Sequence, residues 1–314
     1  MKNIYLITGI AGFIGSHIAE ELLKNPNNIV IGIDNFFSGY QKNLDTISST
    51  NLVFYKGDIR DDEIMTQIFS QNKIEYIFHE AAIVSVQKSI DNPIQSNQVN
   101  VLGTLKLLQF ARLNDVKRVV FASSAAVYGD EPSLPKNEDS STKPISPYGV
   151  EKLIAEQYMN LYSDMFNLET INLRYFNIYG PRQDPTSEYS GVISIFEEKF
   201  SQNECPIIYG NGKQFRDFLH VKDLVKVNIC SMHQPYNYKN RLICCGTGEE
   251  VSINNLFDIF CKRYKKKWVK IYSVSRRGDI FGSISNNARM LSLLKEEKLI
   301  RLSQNIQLDY LLKF

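Results

Sequence analysis

Residues 8–15 read Thr8-Gly9-Ile10-Ala11-Gly12-Phe13-Ile14-Gly15, and this run decides the fold. It follows Ile4-Tyr5-Leu6-Ile7, an apolar run that reads as a strand, and it opens an amphipathic stretch over 13–24 that reads as a helix. Gly9 suits the tight turn leaving a strand, Gly12 lets backbone approach a pyrophosphate, and Gly15 permits close helix–strand packing. Phe13 and Ile14 complete the loop. The exposed N–H groups and dipole of the helix start favour an anion there. Asp34 closes the next apolar run, in Ile33-Asp34-Asn35, nineteen residues after Gly15. A carboxylate at that place accepts from a ribose 2′-hydroxyl and repels a 2′-phosphate, so the reading is a dinucleotide site that favours NAD over NADP. Asn35 and the Asp58-Ile59 pair that ends the third apolar run are expected at the adenosine end.

Outward from this loop, short apolar runs alternate with amphipathic stretches. Strands are expected near 28–33, 52–55, 76–78, 118–122 and 168–173. Helices are expected at 62–71, 92–113 and 147–166. This alternation with continuously apolar strands predicts an α/β fold, a doubly wound parallel sheet of the Rossmann type covered on both faces. Ligands of such sheets bind outside the carboxyl ends of the strands. Ala81, Ser123 and Tyr175 fall at those ends and are expected to line the cofactor.

After about residue 180 the loops lengthen and Pro and Gly cluster, as in Gly180-Pro181 and Gly210-Asn211-Gly212. Helices are expected at 221–232, 253–264 and 290–299, with a strand at 269–274. The run 241–245 reads as one more strand of the first sheet. The division predicted is residues 1–179 with 219–246 for the cofactor, and 180–218 with 247–314 as a smaller α/β substrate-binding unit.

Lys and Arg total 36 against 34 Asp and Glu, a net charge of +2, so there is no basic footprint of the kind nucleic acid selects. Five cysteines form no C-x-x-C pair, which suits free thiols in a reducing compartment. Four scattered histidines lack metal-ligand spacing, so no metal is expected. No leader or membrane-length apolar run is visible, and a cytoplasmic protein with no membrane association is expected.

The densest chemistry lies in Ser123-Ser124-Ala125-Ala126-Val127-Tyr128-Gly129 and Pro147-Tyr148-Gly149-Val150-Glu151-Lys152. The first leaves a buried strand; the second opens a helix with Ser146 as N-cap and Pro147 in the first turn. Tyr148 and Lys152 stand i, i+4 on one helical face. A tyrosine is a poor base at neutral pH, and an adjacent ammonium stabilises its phenolate. Tyr148 is therefore expected to take a proton from a substrate hydroxyl while C–H hydride leaves for NAD, with Ser124 hydrogen-bonded to the same oxygen.

These segments together resemble the extended short-chain dehydrogenase/reductase family over residues 1 to about 290, and within it the UDP-hexose 4-epimerase group. The resemblance implies Ser124, Tyr148 and Lys152 as catalytic residues, tightly held NAD, and a homodimer paired through the two long helices. Asn100, in Asn100-Val101-Leu102-Gly103-Thr104, resembles the family's Asn near the nicotinamide end. Asn177 of Arg174-Tyr175-Phe176-Asn177 resembles its diphosphate contact, and Arg216 of Arg216-Asp217-Phe218 its phosphate-binding arginine. In Arg276-Arg277-Gly278-Asp279, Arg276 corresponds to a diphosphate ligand and Asp279 to a ribose ligand. Ser283 falls where the family places a size gate for a 2-acetamido group, and Ser85 is expected to touch the hexose. Relatives that dehydrate or decarboxylate carry an acid just after the catalytic Ser/Thr. Alanines stand here, so the resemblance implies simple C4 epimerisation of UDP-glucose and UDP-galactose, and of UDP-GlcNAc and UDP-GalNAc. A dehydratase or reductase on the same fold is the alternative.

Overall fold

The computed structural model describes residues 2–184, 191–237, 241–274, 280–295 and 298–302. Its strands in chain order are β1 (Asn3–Thr8), β2 (Asn28–Asp34), β3 (Leu52–Lys56), β4 (Tyr76–His79), β5 (Arg118–Ser124) and β6 (Glu169–Tyr175). The short strands β7 (Asn177–Tyr179), β8 (Ile207–Tyr209), β9 (Phe215–Arg216) and β10 (Phe218–His220) follow, then β11 (Leu242–Cys245), β12 (Val251–Ser252) and β13 (Ile271–Ser273). The first six and β11 form one sheet in the order β11-β6-β5-β4-β1-β2-β3. Every pairing in it is parallel.

The strands are apolar throughout because each side of the sheet has its own core, and the two-residue period of a strand deals side chains to both. Tyr5, Ile7, Phe78 and Val120 enter one core, which α1 (Phe13–Leu22) covers with Ile18 and Leu22. Leu6, Ile77, Val119 and Phe121 enter the other. Helix α2 (Gln41–Asp45) lies beside α1, and α3 (Asp62–Gln71) brings Met65 and Ile68 to the second core.

The helix expected over 92–113 is interrupted. After α4 (Val86–Asp91), α5 (Pro93–Asn97) passes through a π-helical segment (Gln98–Gly103) into α6 (Thr104–Leu113). Next comes α7 (Pro147–Phe166), as expected, with Ser146 Oγ accepting from Gly149 N at 3.2 Å and Asn167 ending it in a left-handed conformation.

Beyond β7 a separate core gathers Phe196 and Phe200 of α8 (Val192–Ser201), Phe218 of β10, and Leu256, Phe257 and Phe260 of α10 (Ile253–Arg263). Helix α9 (Val221–His233) returns to the main sheet and packs on α1. Helix α11 (Ala288–Leu293) ends earlier than the expected 290–299, and β13, pairing with β8, is shorter than 269–274. Helix α8 was not among the expected elements.

Candidate active site

The carboxyl ends of β1, β2, β4, β5 and β6 open into one cleft. Its walls include Gly9, Gly12, Phe13, Ile14, Gly15, Asp34, Asn35, Asp58, Ile59, Ala81, Ser123, Ser124, Tyr148, Lys152 and Tyr175. Thus the glycine loop, the two expected adenosine-side carboxylates and the Ser/Tyr/Lys set, distant in sequence, meet at one surface.

The loop is built for an approaching anion. Gly9 has φ +71°, and a Cβ there would stand 2.8 Å from Ala81 N. A Cβ on Gly15 would meet Gly9 O at 2.4 Å, so helix and turn touch without side chains. At Gly12, among the described residues, the one neighbour of such an atom within 4 Å is Gly9 O at 3.1 Å. That cradle fits a pyrophosphate. Asp34 is held beside it. Its Oδ2 accepts from Ala11 N at 2.9 Å and its Oδ1 from Phe36 N at 2.7 Å, while burial pushes its carboxyl above the usual range. Asp58 accepts from Arg60 Nε at 2.9 Å and Nη2 at 2.8 Å, and from Asn35 Nδ2 at 2.9 Å, which lowers its pKa.

Residues missing from the sequence reading close the cleft's rim. His17 Nε2 donates to Pro181 O at 2.9 Å, Arg182 Nη2 pairs with Glu20 at 2.8 Å, and Tyr40 donates to Asp184. The segment 180–184 is thereby strapped to α1 and to the start of α2.

At the other end of the cleft, Ser124 ends β5 and Tyr148 sits in the first turn of α7, its N–H donating to Ser89 Oγ at 3.1 Å. The Ser124 hydroxyl acts to lower the Tyr148 pKa, but burial outweighs this and pushes the phenol up to about 12. Lys152 is brought down to about 8, chiefly by burial. Its Nζ donates to Ala122 O at 2.8 Å and stands 5.8 Å from the Tyr148 ring centroid. The ammonium expected to stabilise the Tyr148 phenolate is thus in place, and burial of the phenol opposes it.

His79 joins these parts from below. Thr104 Oγ1 donates to Asn100 O at 2.7 Å, so His79 Nε2 (2.9 Å away) donates to Thr104. His79 Nδ1 then accepts from Thr8 Oγ1 at 2.7 Å. Burial drives the pKa of this imidazole down to about 3, so it is a neutral strut.

Several expected site residues stand outside the lining. Asn100 is buried in the π segment. Its amide receives Ile83 N at 2.8 Å and donates to Ile83 O at 2.9 Å and Glu151 Oε2 at 2.7 Å, so it positions the cleft-lining Ile83. Ser85 caps α4, its Oγ accepting from Lys88 N at 3.0 Å. Asn177 Nδ2 donates to Asp217 O at 3.2 Å, and Arg216 Nη1 to Phe215 O at 2.8 Å. Ser283 is buried, its N–H donating to Phe215 O at 3.3 Å. Arg276 and Asp279 lie outside the described residues.

Two buried carboxylates went unnoticed in the sequence. Glu156 receives Arg174 at 2.9 and 2.7 Å and also Ser123 Oγ, fixing β5, β6 and α7 together. Asp217, fully buried, accepts Thr247 N (2.6 Å), Thr247 Oγ1 (2.7 Å), Gly248 N (2.9 Å), Ser285 N (3.0 Å) and Ser285 Oγ (2.7 Å). It thus ties the turn beside Arg216 to the segment that carries Ser283. Only its place after an arginine could have marked it.

A family model for the NAD dependent epimerase/dehydratase family matches residues 5–246. The chain belongs to this family. Its cofactor is accordingly NAD. A putative UDP-glucose 4-epimerase of Methanocaldococcus jannaschii is 40% identical over 277 residues, covering 88% of this chain and 87% of that one. A UDP-glucose 4-epimerase of Thermotoga maritima, solved with UDP-glucose, superposes with a TM-score of 0.90 at 34% identity, over 97% of this chain and 96% of the other. A UDP-N-acetylglucosamine 4-epimerase of Methanobrevibacter ruminantium, solved with UDP-N-acetylmuramic acid, gives 0.89 at 35% identity, over 98% of each chain.

Proposed function

We propose that this chain is an NAD-dependent UDP-sugar 4-epimerase acting on UDP-glucose and UDP-galactose, and on UDP-GlcNAc and UDP-GalNAc. The observation that carries the reading is Ser124, Tyr148 and Lys152 at one end of the cleft, with Ala125 and Ala126 following the serine in a short 3-10 turn. No carboxylate follows the serine to move a second proton, which favours simple oxidation and re-reduction over β-elimination. Similarity to the 4-epimerases above supports it.

When bound, NAD supplies the hydride acceptor and a positive ring near the phenol. Tyr148 then holds the proton of the sugar 4-hydroxyl, and Ser124 hydrogen-bonds the same oxygen. Lys152, anchored on Ala122 O, contributes positive charge that favours the phenolate. The 4-keto sugar turns about its diphosphate linkage before reduction on the other face. Arg216, Arg276, Asn177 and Asp279 are the proposed holders of the UDP part, a task for which guanidinium forks are suited. Ser283 leaves room for an acetamido group.

The same reading assigns cofactor binding to residues 1–179 with 219–246, and sugar-nucleotide binding to the remainder. It also includes a homodimer. Ile94 on α5, Leu102 in the π segment, and Leu161 and Met165 on α7 are exposed, Ile94 by 72% and Met165 by 62%. Such apolar helix surface suits burial against a second copy. Among the described residues no helix is long and apolar enough to cross a membrane; a cytoplasmic location is the proposal. The decisive experiment incubates purified protein, without added cofactor, with UDP-glucose and UDP-GlcNAc separately. C4 epimers are expected from both, and absence of epimer from either sugar nucleotide would overturn the reading.

A further inference from the structure

Glu80, the residue after β4, lines the cleft beside the catalytic end, and the mechanism above makes no use of it. Its Oε1 lies 2.9 Å from Tyr175 Oη. The same phenolic oxygen lies 3.0 Å from Asn228 Oδ1. Tyr175 is 7% exposed and Asn228 fully buried, so water is a poor substitute partner for either group.

Counting hydrogens in this cluster decides where the protons are. Asn228 Nδ2 donates to Leu224 O at 3.0 Å, which fixes the amide with its oxygen toward Tyr175. An amide turned the other way would set two acceptors face to face at Leu224. Tyr175 has one hydroxyl hydrogen and two acceptors in reach, Asn228 Oδ1 and Glu80 Oε1. With Glu80 ionised, one of the two short contacts lacks a hydrogen. With Glu80 protonated, the carboxylic acid donates to Tyr175 Oη and Tyr175 donates to Asn228 Oδ1, and each contact has its proton.

The other groups that act on this cluster come from α7 and β11. Burial raises the Glu80 pKa to about 7, against the Tyr175 hydroxyl and Lys152, which both favour the ionised form. Tyr148 and Cys245 are also coupled to the Glu80 charge, each with its pKa raised. The neutral acid fits an empty cleft. A positive ring entering a cleft that Glu80 lines reverses the balance and favours the carboxylate.

We infer that Glu80 is a charge-matching residue of the cofactor site: it is a neutral acid hydrogen-bonded through Tyr175 to Asn228 when the site is empty or holds reduced cofactor, and gives up its proton to solvent when NAD⁺ binds. No redox step is added to the reaction; one carboxyl O–H bond breaks and the proton leaves to bulk buffer. The consequence is a preference for NAD⁺ over NADH that grows with pH, which keeps the resting enzyme in the oxidised form that its turnover requires. The inference rests on the cleft holding NAD and is independent of which sugar is turned over.

The test reads binding. Full-length protein freed of cofactor is titrated with NAD⁺ and with NADH by calorimetry between pH 5.5 and 8.5, in two buffers of different ionisation enthalpy. The expected result is release of a fraction of one proton on NAD⁺ binding, largest below pH 7, and little or none with NADH. The NAD⁺/NADH affinity ratio should rise about tenfold across the range. In Glu80→Gln the ratio should be flat with pH and NAD⁺ release no proton. Equal proton release with both cofactors in the wild type, or an unchanged pH dependence in Glu80→Gln, would overturn the inference. Tyr148→Phe protein should release the same fraction of a proton with NAD⁺; loss of release there would assign the proton to the phenol and overturn the inference, whether or not Glu80→Gln folds. Any such negative result leaves the epimerase reading standing, because C4 epimer formation is measured separately.

Discussion

Lys152 Nζ lies 5.8 Å from the centre of the Tyr148 ring and directs a hydrogen bond to the carbonyl of Ala122 at 2.8 Å. The lysine is therefore placed to act on the phenol through space, from a position fixed by β5. Burial pushes the Tyr148 pKa up to about 12, so in the proposed reaction the phenol relies on the positive charge of bound NAD to act as a base.

Tyr148→Phe should lower kcat by roughly 10²–10⁴-fold, the usual worth of a positioned acid–base group. The ring remains packed and its backbone N–H still reaches Ser89 Oγ. Bound NAD should therefore co-purify with the variant in wild-type amount, measured by release on denaturation. Loss of the cofactor would instead mean that the phenol holds NAD.

Lys152 yields a stability prediction. Its folded pKa, near 8, lies below the ordinary 10.5 because of burial. Between those values the unfolded chain binds more protons than the folded one, so this group's contribution to stability rises with pH across that window and is least favourable below it. Lys152→Met should raise Tm at pH 7, with a smaller gain at pH 9.5, while activity falls by about 10²-fold or more. Thermal unfolding at the two pH values checks the sign; a lower Tm at pH 7 would refute it.

Ser283 is 6% exposed and packed near Phe215, so a larger side chain there must project into neighbouring space. Ser283→Tyr should reduce kcat/KM for UDP-GlcNAc by about 10²-fold and leave UDP-glucose within about threefold, in line with the worth of one steric gate. Equal losses on both sugars would remove Ser283 from the account of specificity.

The Arg174–Glu156 pair is buried on both sides, at 4% and 2% exposure. Arg174→Met leaves a buried carboxylate without its partner and should cost about 3–5 kcal/mol. Adding Glu156→Leu should recover a large part of that loss in urea unfolding, because the uncompensated charge is gone. Additive losses in the double variant would contradict this.

The cofactor half of the site was legible in the sequence because its signals are local. Gly9, Gly12 and Gly15 lie within one turn, Tyr148 and Lys152 within one helical step, and strand ends can be read from apolar runs. What escaped depends on tertiary contacts. The π segment at 98–103 sits where Asn100 binds both backbone groups of Ile83, a contact seventeen residues away along the chain that no helical period encodes. Helix α8 carries apolar residues at 192, 193, 196 and 200, a helical spacing that the Pro and Gly residues just before it in the sequence obscured. Asp217 was given no role of its own beside Arg216, because the five hydrogen bonds its carboxylate accepts come from residues 247, 248 and 285, far along the chain. The raised pKa of Tyr148 is a product of burial, which spacing does not report.

Asp217 also has a bearing on how the chain is made. The strands β1 to β6, with the glycine loop and Tyr148, are all encoded before residue 176, whereas the donors that surround Asp217 are the last third of the polypeptide. During synthesis the N-terminal part emerges first and can begin to organise on its own. At that stage α9, which packs on α1, and β11, which pairs with β6, are still to come. The segments on either side of Asp217 are thus tied to one another only when residues 247, 248 and 285 have been made and surround that one carboxylate.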